Sequence, residues 1–142
     1  MTIIERLRQY KELDPHKIAL IVDDKKYTYG DLYDAIVSID INDTSRIVSV
    51  AQTKESPKHI VALIQSQSFV EQLVQWLGVL YTGYIPMVCH NEMDTEYVEE
   101  LARIIAYKGV APLADFGVLT SGTTGRPKPL WRSESSWREF FD

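Results

Sequence analysis

The fold is decided by a stretch in the middle of the chain, residues 60–88, which reads IVALIQSQSFVEQLVQWLGVLYTGYIPMV. Its first five residues are continuously apolar, as expected for a parallel strand that is covered on both faces. Apolar residues then recur at helical spacing over 69–81, and Gly83 stands where a glycine commonly ends a helix. A second apolar run occupies 84–88. The stretch therefore predicts a strand, a helix and a second, parallel strand.

The helix of this βαβ unit is predicted to have two different faces. Ser68 and Glu71 have the spacing of a capping box at its start. The face turned towards the sheet is predicted to consist of large apolar residues, namely Phe69, Leu73, Trp76, Leu77 and Leu80. The outward face is predicted to carry the residues Glu71, Gln75, Gly78 and Thr82.

Two helices, a hairpin and one further strand are predicted before this unit. Thr2 and Glu5 form a capping box, and the apolar spacing that follows predicts a helix over 3–13. Thr28 is placed to cap a second helix. The hairpin between these helices is predicted to have its strand, turn and return strand at 18–22, 23–26 and 27–28. Residues 40–58 predict two loops around one strand at 47–51.

The pattern after the βαβ unit predicts another helix over 95–108, a short buried strand over 116–119 and a last helix capped by Ser133. The helix over 95–108 should face inward with its apolar residues, namely Val98, Leu101, Ala102 and Ile105. Taken together, the elements predict an α/β fold with a mostly parallel sheet, flanking helices and an N-terminal β-hairpin.

Hydroxyl-bearing residues, glycines and a lysine are concentrated at 119–128, which reads LTSGTTGRPK. Gly122 and Gly125 allow positive φ and close approach of the backbone to a ligand. Lys128 supplies the point charge that a polyphosphate needs. Hydroxyl donors are supplied by Thr120, Ser121, Thr123 and Thr124. A strand precedes the stretch, and a helix is expected to follow it, which is the usual context of phosphate-binding loops.

The spacing of this loop distinguishes it from two common phosphate motifs. It lacks the Walker arrangement, in which the lysine directly follows the second glycine, and it contains no G-x-G-x-x-G. It resembles instead the signature loop of the adenylate-forming enzymes, which comprise acyl-CoA ligases, adenylation domains and luciferases. A serine- and threonine-rich surface turn has a similar composition, but such a turn rarely joins a buried strand to a lysine in this order.

Three other segments match the same family in the expected order. Residues 15–20 (PHKIAL) and 28–32 (TYGDL) resemble its P-x-K-x-A-L and T-Y-x-x-L segments. Residues 61–86 resemble a V-A…S-x-E…G-x-x-P segment. Gly117 to Trp137 looks most like long-chain fatty-acid-CoA ligases of the compact kind. The chain departs from the family at Ser133 and Glu134, where a Thr-His pair is common.

The resemblance implies a reaction in which a carboxylic acid and ATP form an acyl-adenylate, which coenzyme A or a carrier thiol then attacks. The resemblance thus implies ATP, coenzyme A and a carboxylic acid, specifically a fatty acid, as the expected partners. The residues implied to hold the phosphates are Thr120, Ser121, Gly122, Thr123, Thr124, Gly125 and Lys128. Residues 1–142 would form the N-terminal part of an AMP-binding domain. The Mg²⁺ ligand, the catalytic residues and the C-terminal domain are expected downstream, so the isolated chain should be inactive.

Composition and residue spacing also bear on nucleic-acid partners, the cellular compartment, membrane spans and metal sites. The formal net charge of -5 argues against a nucleic-acid partner. The single cysteine, Cys89, is interpreted as a packing residue and fits a reducing cytoplasm. No apolar run approaches the roughly 20 residues of a membrane span. No metal site with recognisable ligand spacing is visible.

Two alternatives to a fatty acid-CoA ligase remain open at this point. One is an adenylation domain for an aryl or amino acid. The other is a truncated, non-catalytic module that binds phosphate or interacts through its aromatic residues. Because Trp137, Phe140 and Phe141 have little chain after them to cover them, self-association of the isolated chain is also expected.

Overall fold

A computed structural model describes residues 1–120 and 128–138. For Trp137 and Arg138 it describes the backbone but not the side chain. Six helices and seven strands lie in the described residues. The helices are α1 (Ile3–Leu13), α2 (Tyr29–Ser38), α3 (Ile41–Thr44), α4 (Phe69–Tyr81), α5 (Thr95–Lys108) and α6 (Glu134–Arg138). The strands are β1 (Ile18–Val22), β2 (Lys25–Thr28), β3 (Ser45–Ser49), β4 (Ile60–Ile64), β5 (Ile85–Val88), β6 (Phe116–Leu119) and β7 (Pro129–Arg132).

The main sheet confirms the α/β class and has the strand order β3-β4-β5-β6-β7. Strands β4, β5 and β6 are parallel to one another, as the βαβ pattern predicts. The two outer strands are antiparallel to their neighbours. The sheet is therefore mixed, with its parallel pairs at the centre. The outer pairs differ because a short connection can join antiparallel neighbours but not parallel ones.

Helices cover both faces of the central strands. Successive residues of a strand point to opposite faces, so Val61 and Leu63 lie on one side of β4, and Ala62 and Ile64 lie on the other. Val61 and Leu63 share a cluster with the apolar face of α5. Ala62 and Ile64 pack with Val79 of α4. Burial on both sides explains why the β4 sequence is continuously apolar.

The helix starts agree with the sequence signals. Thr2 accepts from the Glu5 N–H, and the Glu5 side chain accepts in return, which completes the capping box of α1. Thr28 accepts from the Asp31 N–H at the start of α2. Ser68 accepts from the Glu71 N–H at the start of α4. These side chains satisfy backbone donors that have no partner within the helix.

The N-terminal hairpin is present, but its turn is shorter than predicted. Strand β2 begins at Lys25, and only Asp23 and Asp24 lie between the strands. Both have positive φ, 51° and 65°, as a two-residue turn that matches strand twist requires. The sequence interpretation counted Lys25 and Lys26 as turn because both are polar, but both side chains are exposed on the hairpin.

Two elements differ from the sequence prediction because they are too short to show periodicity. Helix α3 occupies four residues of a predicted loop, with Asp40 as its N-cap. Strand β3 runs from Ser45 to Ser49 rather than over 47–51.

On β3, the side chain of Arg46 pairs with Glu99 of α5 at 2.7 Å. Its hydrogen bond lowers the pKa of the Glu99 carboxyl, which marks Glu99 as a partner in an ion pair between helix and sheet.

Two residues of α4 lie on the opposite side from the one predicted. Phe69 is 57% exposed, whereas Gly78 is buried. A Cβ atom at Gly78 would come within 2.2 Å of Cγ2 of Ile39 and within 3.3 Å of the Ile36 carbonyl oxygen. Gly78 is thus the point where α4 approaches the end of α2. The spacing of apolar residues missed this contact because glycine contributes no apolar side chain to the pattern.

We expect Gly78→Ala to destabilise the chain by roughly 1–3 kcal/mol, as overpacking of a core does. The higher helix propensity of alanine, about 1 kcal/mol, opposes this effect but should not outweigh it. Urea unfolding measures the difference. Combining Gly78→Ala with Ile39→Ala removes the clashing methyl group, so the double variant should be more stable than the sum of the two single effects predicts. Simple additivity would show that Ile39 does not restrict this position.

Candidate functional site

The two ends of the predicted phosphate loop are held together by a β-hairpin. Strands β6 and β7 pair antiparallel, with Leu119 opposite Pro129. Beyond that pair, the Thr120 N–H donates to the Lys128 carbonyl oxygen at 2.9 Å. The Lys128 N–H donates to Oγ1 of Thr120 at 3.1 Å. We call this doubly bonded Thr120–Lys128 pair the loop neck.

The hairpin corrects the expected context of the loop. The predicted helix capped by Ser133 is present, because α6 begins at Glu134 and the Ser136 N–H donates to Oγ of Ser133. The sequence prediction missed strand β7, which lies between the loop and this helix. Pro129 and the polar residues around it concealed this strand. Bonded and non-bonded pairs alternate in an antiparallel ladder, so Pro129, beside the bonded neck pair, needs no N–H for the ladder.

The described residues include two of the seven predicted phosphate-binding residues. Thr120 and Lys128 lie at the neck, and both are exposed. The remaining five lie outside the described residues, and these are Ser121, Gly122, Thr123, Thr124 and Gly125. The hydroxyl oxygen of Thr120 already accepts from the backbone of Lys128, which leaves its O–H available to donate.

A groove of about 1070 Å³ adjoins the loop neck. It lies at the carboxyl ends of the parallel strands, where open α/β sheets usually bind ligands. Residues that follow each of the three strands line this end of the groove. They are Ser66 and Gln67 after β4, Cys89, His90 and Asn91 after β5, and Thr120 after β6. Each strand end alone gives no signal in the sequence, because only the parallel pairing brings the three together.

The floor of the groove is apolar and tightly packed. The rings of Trp76 and Phe116 meet edge to face with their centroids 5.6 Å apart. On the opposite face of β6, a Cβ atom at Gly117 would come within 2.4 Å of Cε of Met87 and 2.7 Å of the Trp131 ring. Only glycine therefore lets β6 lie this close to β5 and to the indole of β7.

The polar rim is held by hydrogen bonds between the ends of β4 and β5. The amide of Gln65 donates to the carbonyl oxygens of His90 and Met93, at 3.0 and 2.9 Å. Nδ1 of His90 accepts from the Glu92 N–H at 3.2 Å. A neutral ring with Nδ1 as the acceptor carries its proton on Nε2. His90 thus helps to hold the turn that follows β5.

One wall of the groove joins the first and last helices. Met1, Ile3 and Arg6 line it from the start of the chain, and Glu134 lines it from α6. Oε1 of Glu134 accepts from the Ile3 N–H at 2.9 Å. No sequence pattern predicts this contact, because its partners are 131 positions apart. The contact engages the carboxylate of Glu134, a residue that stands where the resembled family commonly has a histidine.

Cys89 is a buried residue of the core cluster, as the sequence predicts. Its side chain is 1% exposed, and burial raises the pKa of the thiol to about 11. A thiol in such surroundings is a poor nucleophile at neutral pH, because the thiolate is the reactive form.

Two further searches cover only residues 1–120 and 128–138. Within them, no three His, Cys, Asp or Glu side chains are grouped so that they could hold a metal ion. The same residues contain no helix that is long and apolar enough to cross a membrane.

Comparison with protein-family profiles gives no match. Curated relatives carry the name "Putative long chain fatty acid-CoA ligase VraA". The protein of Staphylococcus aureus (strain COL) is 26% identical over an alignment of 165 residues. This alignment covers 99% of this chain and 33% of the relative. That of Staphylococcus haemolyticus (strain JCSC1435) is 27% identical over 159 residues, or 96% and 33% of the two chains. The chain thus spans about a third of the length of these relatives.

Solved structures share the fold. O-succinylbenzoate CoA synthetase (MenE) from Bacillus subtilis, in complex with AMP, matches with a TM-score of 0.63 and 16% identity over 94% of this chain and 43% of that chain. The N-terminal subdomain of NpsA from Klebsiella oxytoca, in complex with 3-hydroxyanthranilyl-AMSN, matches with a TM-score of 0.54 and 16% identity over 91% and 39%.

The chain therefore shares its fold with a CoA synthetase solved with AMP and with an N-terminal subdomain solved with an adenylate analogue. The predicted resemblance to the AMP-forming acyl-CoA synthetases is confirmed by this similarity in sequence and fold to curated and solved proteins.

Thr120→Val should loosen the loop neck, because valine keeps the shape of threonine but removes the oxygen that accepts from Lys128. Loss of one hydrogen bond of about 1 kcal/mol corresponds to roughly fivefold faster exchange of the Lys128 amide proton. Hydrogen exchange followed by NMR measures this rate. Thr120→Ser keeps the acceptor and should exchange like the wild type. An unchanged rate in the valine variant would contradict the neck contact.

The raised pKa of Cys89 predicts a loss of stability at high pH. In the unfolded chain the thiol ionises near its ordinary value of 9.0, whereas in the folded chain it keeps its proton up to about 11. The unfolded state therefore binds fewer protons between these values, and the free energy of unfolding should fall as pH rises through this window. Cys89→Ala should show a shallower fall. Parallel pH profiles of the two proteins would contradict the assignment.

Proposed function

We propose that residues 1–142 form the N-terminal part of an AMP-binding domain in an ATP-dependent carboxylic acid-CoA ligase. In this proposal the loop at 119–128 holds the β- and γ-phosphates of ATP. The Thr120–Lys128 neck is the observation that carries it, because it fixes both ends of that loop at the carboxyl edge of the parallel strands. A cytoplasmic reaction fits the chain's single cysteine.

The chemistry of the proposed loop follows from charge. A carboxylate is a poor electrophile until its oxygen becomes part of a good leaving group. The Lys128 ammonium would neutralise part of the polyphosphate charge, and hydroxyl and backbone N–H donors would bind its oxygens. Both effects reduce repulsion of the incoming carboxylate and favour departure of pyrophosphate.

A fatty acid is the proposed carboxylic substrate. The names of the curated relatives favour it, and the groove beside the neck has a floor of apolar and aromatic side chains that suits a hydrocarbon chain. An aryl acid is the second candidate, because one solved neighbour is an O-succinylbenzoate CoA synthetase and another is in complex with 3-hydroxyanthranilyl-AMSN. Competition between palmitate and 2-hydroxybenzoate in an ATP–pyrophosphate exchange assay of the natural full-length protein separates the two.

Coenzyme A and Mg²⁺ complete the proposed reaction as acceptor and counter-ion. The described residues bring no candidate metal ligands together, and Glu134, the carboxylate that lines the groove, is already bonded to Ile3. As the family resemblance implies, the Mg²⁺ ligand is proposed to come from a part of the enzyme outside this chain. None of the roles assigned above to Thr120 and Lys128 requires the ion.

Lys128→Ala should weaken binding of tripolyphosphate to the chain at least tenfold, because it removes the cation beside the loop. Titration calorimetry at low ionic strength measures the affinity, and Lys26→Ala, an exposed lysine of the N-terminal hairpin, is the matched control. Equal losses in both variants would mean non-specific attraction.

In the full-length protein, Lys128→Ala should slow adenylation but leave thiol attack on a supplied acyl-adenylate nearly unchanged. Equal loss of both half-reactions would contradict a role in phosphate binding.

A further inference from the structure

Helix α1 is attached to the rest of the molecule by few buried contacts. Ile4 is the one buried residue of the helix, and Leu7 packs partly buried beside it on the cluster of α2 and α4. Arg8 adds an exposed hydrogen bond from Nε to the Tyr33 hydroxyl. Because most helix stability in proteins comes from packing of an apolar face, α1 is an element that local opening can release.

The start of α1 is fastened by a carboxylate from the far end of the chain. Glu134 accepts from the Ile3 N–H, and a charged acceptor at this position also interacts favourably with the helix dipole. Glu134 is itself fixed, because its own N–H donates to Oδ2 of Asp115 at 2.8 Å. The other carboxylate oxygen of Asp115 accepts from Nζ of Lys58 at 2.8 Å. The contact at Ile3 thus ends a chain of polar contacts that is anchored beside the sheet.

The same contact closes one wall of the groove, since Met1, Ile3 and Arg6 line it from α1. We propose that the Glu134 carboxylate is a latch that holds α1 against the groove. Release of its single hydrogen bond to Ile3 frees the start of α1 and opens that wall. The latch is a property of the fold, and it stands or falls independently of the proposed ligase function.

Two substitutions remove the two sides of the latch. Glu134→Ala removes the acceptor. Ile3→Pro removes the donor but keeps the helix start, because proline is favoured at the first helical position. The residue before it, Thr2, already has the extended backbone that a following proline requires, with φ −76° and ψ 163°. Ile3→Ala keeps the N–H, Glu134→Gln keeps an acceptor oxygen, and Glu96→Ala removes a carboxylate from the first turn of α5.

Hydrogen exchange of the amides at 6–10, relative to those of α4, measures release of α1. Glu134→Ala and Ile3→Pro should each raise these rates about tenfold, the effect of losing a hydrogen bond to a charged group. The double variant should exchange no faster than either single one, because both remove the same bond. Ile3→Ala, Glu134→Gln and Glu96→Ala should stay within about threefold of the wild type. Tryptic cleavage after Arg6 and Arg8 should follow the same order.

Opening of the groove is measured with the dye 8-anilinonaphthalene-1-sulfonate, which fluoresces on exposed apolar surface. Its fluorescence should rise in Glu134→Ala and stay unchanged in Glu134→Gln. Unchanged exchange in Glu134→Ala, or additive rates in the double variant, would overturn the latch. Faster exchange without a rise in dye fluorescence would overturn the opening of the wall. If Ile3→Pro fails to fold, the contrast between Glu134→Ala and Glu134→Gln decides the matter.

Discussion

The antiparallel closure of β6 against β7 is the interaction on which the candidate site depends. Strand β6 is parallel to β5 on one side and carries β7 on the other. The bonds between Thr120 and Lys128 therefore hold both ends of the loop at the sheet edge where the parallel strands end. A phosphate-binding loop works by presenting several donors at once, so the position of its ends governs where those donors can act.

That closure is precise because the central strands are rigidly packed. Helix α4 covers one face of the sheet and α5 covers the other, so the central strands can shift only if both layers shift. Interiors packed in this way have low compressibility, so they keep side chains in fixed positions. Gly117 contributes by leaving space for Met87 and Trp131 at the junction of three strands. The apolar floor of the groove and the neck are thus parts of one packed unit.

Polar contacts organise the periphery in a different way. The ion pair of Lys58 with Asp115 and the hydrogen bond from Ile3 to Glu134 join segments that are far apart in the sequence. Such contacts contribute modestly to stability when they are accessible to water. They therefore suit elements that open and close, and α1 lies at this less stable end of the fold.

The α/β class, the βαβ unit, most helix starts and the family resemblance follow from the amino-acid pattern alone, because they depend on neighbours within a few residues of one another. Capping by Thr2 and the apolar run of β4 are examples. The folded chain was needed to reveal that β7 follows the loop, that Gly78 is a buried contact, and that Glu134 bonds to Ile3. Each of these depends on residues far apart in the chain, whose meeting is set by strand pairing and helix packing rather than by local propensity.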